Sequence, residues 1–218
     1  MTGASSGIGD ELAVRLARQG RRLARTVEAF GGVDCLVNDA GISMLAGFEE
    51  VTDLSAFEKL MPANYLGAGY ATHFALPELR RRRGLVVAIS SLTGKFGAPT
   101  CTAYGASKHA MQGFFDALRI ELSGSGVALR TVSPGFVQTE IRARALGPDG
   151  EPLGASPRDE RRGNLSVEAC ASRILRAMER RERDVLEPGR ARLRGPLAAR
   201  RPRAARPDAD RVSRPKGA

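Results

Sequence analysis

The stretch LVVAISSLTGKFGAPTCTAYGASKHAMQGFFDALRIEL, Leu85 to Leu122, decides how this chain is read. Leu85 to Ile89 is apolar without a break and closes on Ser90 and Ser91, the pattern of a short strand buried on both faces. From Tyr104 to Leu122 the residues Met111, Phe115, Leu118 and Leu122 share one stripe at helical spacing, and Gly124 and Gly126 end it.

The same stretch carries chemistry. Tyr104 and Lys108 lie one helical turn apart, which brings an ammonium near a phenol. That charge favours phenolate, so the tyrosine pKa, ordinarily about 10, is expected to fall toward the range useful for general acid and base work. A tyrosine and a lysine at this spacing are also compatible with an ordinary surface pair. Ser91, at the end of the preceding strand, tips the balance, because its hydroxyl can share a substrate oxygen with Tyr104.

Working outward, the alternation continues. Ile8, Leu12 and Leu16 recur every four residues and predict a helix that stops near Gly20. Val33 to Val37 predicts a strand ending at Asn38, and Val127 to Val132 another, stopped by Pro134 and Gly135. A helical stretch runs from about Leu54 to Arg83 with breaks expected at Pro62 and Pro77, and Val167 to Arg181 predicts a last helix against the sheet edge. Ala143 to Gly163, rich in Gly, Pro and charge, reads as a mobile flap. Apolar strands alternating with helices predict an α/β protein with a doubly wound parallel sheet. Such sheets bind ligands beyond the strands' carboxyl ends, where Asn38, Ser91, Pro134 and Gly135 stand. Thr2, Gly3, Gly7 and Gly9 form TGxxxGxG directly before the first helix, where bare backbone N–H groups and the helix N-terminus favour a pyrophosphate. Asn64 places a polar group inside a helical segment, with surface exposure as its plain alternative.

Composition narrows the function classes. The 218 residues suit one domain, read as 1–187, with an Arg/Pro-rich tail over 188–218. The net charge of +10 is concentrated in that tail, whose nine Arg and one Lys face only Asp208 and Asp210; without aromatic residues it reads as a solvated end, so nucleic acid is not an expected partner. Neither a long apolar run nor a basic, apolar leader is present, and the expectation is a cytoplasmic protein with no membrane span. Cys35, Cys101 and Cys170 form no CxxC pair and read as small core residues in a reducing compartment. With only His73 and His109 beside them, no metal is expected.

Taken together, these motifs resemble the short-chain dehydrogenase/reductase family, in order from Thr2 to about Glu187. The resemblance implies a Rossmann-like fold and an NAD(P)-dependent oxidoreductase that interconverts a carbonyl and a secondary alcohol by hydride transfer. TGASSGIG matches the cofactor loop, which marks Gly3, Ser5, Ser6, Gly7, Ile8 and Gly9 as cofactor-binding. NDAG matches the family's NNAG turn and adds Asn38, Ala40 and Gly41; SPGFVQT matches its PG segment and adds Pro134, Gly135, Val137 and Thr139. Asn64, Ser91, Tyr104 and Lys108 match the catalytic tetrad. By that likeness Tyr104 is the general acid/base, Ser91 polarises the substrate oxygen, Lys108 also binds the nicotinamide ribose, and Asn64 holds a relay water. The helices bearing the tetrad commonly meet in homodimers or homotetramers, which makes Phe114 or Phe115 interface candidates. The implied substrate is a small carbonyl or alcohol, apolar to judge from Leu92, Phe96 and Phe136 near the strand ends.

Three departures mark the likeness as incomplete. No apolar first strand precedes Thr2. Residues 21–32 are too few for a second strand, a crossover and a third strand. Glu28, at the distance of the expected ribose-binding acid, falls in a helical stretch, RRLARTVEAF, and leaves NAD or NADP open, with Arg21 and Arg22 leaning toward NADP. The Arg/Pro-rich end replaces a closing strand. Joint loss of these blocks is what an incomplete or mis-assembled reading frame produces, and it keeps a second reading alive: a catalytically silent relative that binds or oligomerises. Asp39 replaces an asparagine of the family's turn and exchanges two amide donors for a charge.

Overall fold

A computed structural model of the chain describes residues 1–19, 31–157, 164–180 and 184–186. Glu28, Arg21, Arg22, the RRLARTVEAF stretch and the 188–218 tail lie outside them. Strands β1 (Cys35–Asn38), β2 (Leu85–Ile89), β3 (Ala128–Ser133) and β4 (Asp184–Leu186) pair in that order, all parallel. Helices α1 (Gly7–Arg18), α2 (Ser55–Met61), α3 (Gly67–Arg82), α4 (Thr102–Glu121) and α5 (Val167–Arg180) supply the crossovers and the two outer layers.

Strand alternation builds those layers. Val37, Val87, Ile89 and Val132 point to one face and bury against Leu12 of α1 and Cys170, Ala171 and Ile174 of α5. Leu36, Val86, Ala88 and Leu129 point to the other and bury against Ala75 and Leu79 of α3 and Met111 and Phe115 of α4. Both faces of the sheet are therefore covered, as continuous apolar strands require. Phe115 is fully enclosed, so it belongs to this core; Phe114 packs edge-on to it with ring centroids 5.0 Å apart.

Several expectations change. Helix α5 packs on the sheet's face, because Cys170, Ala171, Ile174 and Leu175 form a stripe one helix wide that the face can bury and an edge cannot. Pro62 opens a π-helical turn, Pro62–Leu66, through which the chain continues directly into α3. Pro77 sits inside α3 without ending it, on the exposed side of the helix, where the carbonyl freed by its missing N–H can be solvated. The helix closes instead at Arg83, in the left-handed region at φ 50°, followed by Gly84. Cys101 is not a core residue, since it precedes the first turn of α4 and stays half-buried.

The segment read as a mobile flap is stitched down over its described part. Gly154 and Leu153 donate to the carbonyls of Ala143 and Ala145, and Leu146 exchanges backbone bonds with Ser43 and Leu45. Residues 158–163 of that segment lie outside the described residues.

Candidate active site

The carboxyl ends of β1, β2 and β3 and the start of α1 converge on one corner. Backbone hydrogen bonds bring them there: Thr2 donates to Val37 at 2.9 Å, and Leu92, just past Ser91, donates to Pro134 at 3.1 Å. Thr2 Oγ1 then accepts the N–H groups of Asp39 and Ala40 at 3.1 and 3.2 Å, which sews the NDAG turn to the glycine loop.

Helical spacing sets the centre of the site. Tyr104 and Lys108 occupy one face of α4, with Lys108 Nζ 5.9 Å from the phenol ring centroid. The Ser91 side chain faces the Tyr104 hydroxyl and draws its pKa down. Ser91 itself accepts from the N–H and the hydroxyl of Thr93, at 3.2 and 3.0 Å, in the turn Leu92–Gly94 that it caps. With both lone pairs engaged by Thr93, Ser91 has its proton left to donate on the side of the Tyr104 hydroxyl. Lys108 is 4% exposed and donates to the Ile89 carbonyl at 3.1 Å, on the last residue of β2.

Asn64 is wholly buried in the π-helical turn, a type of irregularity that recurs at functional sites. Its amide donates to the Ile42 carbonyl at 2.9 Å and to Ser107 Oγ at 2.8 Å, while Oδ1 accepts the Ile42 N–H at 2.8 Å. Ser107 passes its own proton to the Tyr104 carbonyl. Asn64 thus clamps the NDAG turn to α4, a positioning role that its sequence context did not reveal. A Cβ on Gly41 would meet Asn64 Oδ1 at 2.8 Å and Lys108 Nζ at 3.5 Å, so a glycine is required where the turn passes the tetrad.

The cofactor-loop residues gather on the other side of the turn. Gly3 and Gly7 have φ of 70° and 62°, open to glycine and costly for other residues. A Cβ on Gly3 would strike Ala40 N at 2.6 Å, and one on Gly7 would touch Thr139 Cγ2 at 3.4 Å, which brings the PG segment over the glycine loop. Ser5 and Ser6 are exposed, while Ile8 packs into the core below them. Ser6 precedes α1 with extended backbone and makes no capping bond, so no side chain of that residue covers the first-turn N–H groups. A cavity of ≈ 390 Å³ opens beside Thr2, Gly3, Ala4 and Ser5. Positive φ, absent Cβ atoms and uncapped donors fit a dinucleotide pyrophosphate. Gly135 is half-buried and Pro134 and Val137 buried, with Val137 in the core and bridged to Leu165. Asn38 is buried as well, and its amide donates to Thr72 on α3 at 3.0 Å, which anchors β1.

Burial governs the electrostatics. It pushes Tyr104 up to about 12, against the pull of the Ser91 side chain and the Arg142 guanidinium, with Cys101 and Asp39 adding to the rise. Burial lowers Lys108 to about 8, opposed by the Asp39 carboxylate. The expected lowering of the phenol by Lys108 is therefore not seen: burial dominates, and Ser91 and Arg142 are the groups that draw the phenol down. Asp39 is raised by burial to about 6, against Lys108 and the Gly9 N–H that it accepts. Among the described residues no His, Cys, Asp and Glu group is placed to hold a metal, and no helix is long and apolar enough to cross a membrane.

Comparison with known proteins agrees with this fold. The family model described as short chain dehydrogenase matches residues 21–147. The dehydrogenase/reductase SDR family member 7B of Rattus norvegicus is 39% identical over 164 residues, 75% of this chain and 50% of the relative. The 11-beta-hydroxysteroid dehydrogenase A of Sesamum indicum is 32% identical over an alignment of 234 positions, 86% of this chain and 67% of the relative. That alignment is longer than the chain itself, so part of the relative has no counterpart here. The chain spans about half the length of several of the curated relatives it matches. A short chain dehydrogenase of Burkholderia cenocepacia, solved with NADP, superposes with a TM-score of 0.74 at 21% identity over 91% of both chains. One from Streptomyces avermitilis gives 0.73 at 24% identity over 90% of this chain and 91% of its own. With the family model matched over residues 21–147 and a relative 32% identical over 86% of this chain, the chain belongs to the short-chain dehydrogenase family.

Proposed function

We propose that this chain binds NAD or NADP and interconverts a carbonyl and a secondary alcohol, with Tyr104 as the proton donor and acceptor. The observation that carries the reading is the Ser91 side chain set against the Tyr104 hydroxyl, with Lys108 Nζ on the same helix face 5.9 Å from the phenol ring. Gly3, Ser5, Ser6, Gly7, Ile8 and Gly9 would hold the pyrophosphate, with Ala40, Gly41, Pro134, Gly135, Val137 and Thr139 along the rest of the cofactor. The nicotinamide supplies the hydride; the chain supplies orientation and charge.

Each residue then has a task. Tyr104, held protonated at neutral pH by burial, donates to a carbonyl oxygen during reduction and takes the proton back during oxidation. Ser91, already ordered by Thr93, polarises that oxygen. Lys108 would bind the ribose hydroxyls and bring positive charge to a developing phenolate. Both N–H groups of Asn64 are taken, so a relay water would use the second lone pair of Oδ1 or the backbone of the π-helical turn. Phe136, 50% exposed after the PG pair, and half-buried Leu92 and Phe96 favour an apolar substrate. NADP-bound structural neighbours favour NADP over NAD.

A titration of the purified chain with NADH and NADPH, followed by nucleotide fluorescence, tests the reading: saturable binding supports it, and none at millimolar nucleotide refutes it. The second result would instead favour the catalytically silent relative, a reading motivated by the part of the Sesamum indicum enzyme that has no counterpart here.

A further inference from the structure

Asp39 stands where the glycine loop, the NDAG turn and α4 meet. Its backbone N–H is held by Thr2 Oγ1, and its carboxyl accepts the Gly9 N–H at the start of α1. A Cβ on Gly9 would come within 2.5 Å of Asp39 Oδ2, so the side chain lies directly against the helix. From α4 the Lys108 ammonium attracts it, and the Tyr104 hydroxyl also feels its charge. Asp10, a second acid in the first turn of α1, is exposed to solvent. Asn64, from the π-helical turn, and Asn38, from β1, carry no charge.

A helix start with bare N–H groups favours a bound anion. Here a resident carboxyl takes one of those donors and, when ionised, adds negative charge beside the cradle. An asparagine could accept the same N–H without the charge. We propose that Asp39 is a positioning residue that sets the charge of the cofactor cradle: ionised, it attracts Lys108 and opposes the phosphates of the dinucleotide; protonated, it keeps the loop stitched without that opposition. The inference rests on the NAD(P)-binding reading above. Because burial holds the carboxyl at about 6, both forms are populated just below neutral pH, and cofactor affinity falls as pH rises through that range.

The probe is NADH, which carries no 2′-phosphate to titrate over the same interval. Its affinity for the unaltered chain should fall about five-fold or more between roughly pH 5 and pH 8, as a like charge near the phosphates requires. Asp39→Asn should show no step near pH 6 and bind about five-fold tighter than the unaltered chain near pH 7, before Lys108 begins to lose its proton. Asp39→Ala, which also loses the acceptor for Gly9, should bind more weakly across the whole range, separating the stitch from the charge. A binding profile in Asp39→Asn that still falls with pH like that of the unaltered chain overturns the proposal.

Melting of the ligand-free proteins gives a second readout. A carboxyl whose folded pKa is raised destabilises the fold when ionised, fully above about 6 and not at all below the unfolded value near 4. Asp39→Asn should therefore raise the melting temperature near pH 8, with the gain vanishing by about pH 4. An equal difference at both pH values overturns the enclosed placement of the carboxyl. If neither protein binds NADH, the dinucleotide reading fails and the opposition to phosphate with it, while a gain confined to high pH still upholds a carboxyl enclosed between α1 and α4.

Discussion

Two corners of the molecule meet at the NDAG turn and use their polar groups in opposite ways. In the corner of Ser91, Tyr104, Lys108 and Asn64, each side chain is already engaged with another part of the chain: Thr93, Ser91, Ile89 and Ser107 are the respective partners. In the corner of residues 2–9, glycines keep side chains away, and Ser6 leaves the start of α1 uncapped. The proton-transfer groups are thus preorganised before any ligand arrives, which is where electrostatic catalysis gains most. The glycine loop has its shape fixed by backbone alone, and its donors await an anion, with Asp39 joining the two corners.

The largest expected effect separates the corners. Tyr104→Phe should lower turnover by about 10²- to 10⁴-fold in steady-state assays while nucleotide affinity stays within about two-fold. Loss of both together would mean that the corners are not independent. Gly9→Ala should do the reverse, pushing a methyl into Gly3 and Asp39 and weakening nucleotide binding about ten-fold or more in the same titration, whereas Gly97→Ala, with nothing within 4 Å, should change nothing. Asn64→Ala strands the Ile42 N–H and C=O and part of the Ser107 hydrogen bonding, all fully or partly buried, and should cost about 3 kcal/mol in urea unfolding; a cost near zero would show that Asn64 does not clamp the turn.

At saturating nucleotide, the pH dependence probes the catalytic corner. With Tyr104 raised to about 12, the donor form persists, so kcat/KM for carbonyl reduction should decline only as Lys108 loses its proton near pH 8. Alcohol oxidation needs the phenolate and should still be climbing at about pH 10. A plateau in oxidation near neutral pH would mean that Lys108 lowers the phenol more than burial raises it. The smallest change is a control in α4: Gly113→Ala faces open space in mid-helix and should stabilise by about 0.5–1 kcal/mol without altering kinetics.

What the sequence made legible follows from distance along the chain. Leu85–Ile89 is a strand with the expected ends, and the Tyr104–Lys108 pair lies on one helix face, because each is a local pattern. Cys35–Asn38 begins two residues later than the expected strand, since Asp34 and Gly84 precede the first register pair, Cys35 with Leu85. The clamp by Asn64 was hidden because Ser107 lies 43 residues away and an asparagine in a helical run carries no mark of its partner. The Asp39 contact with Gly9 was hidden likewise: the exchange of amide for acid was visible, its partner was not. Thr93 is different, since a Ser-x-Thr turn is a local hydrogen-bonding pattern that the sequence alone offers. The balance at Tyr104 could not be read at all, because spacing reports Lys108 but not the burial that governs the phenol.

Titration of the purified chain with NADPH tests the central claim most directly, because the two corners matter together only if the glycine loop holds a nucleotide against Tyr104. The account predicts saturable binding that Tyr104→Phe preserves and Gly9→Ala weakens. Fluorescence that never saturates up to millimolar NADPH and NADH would contradict it.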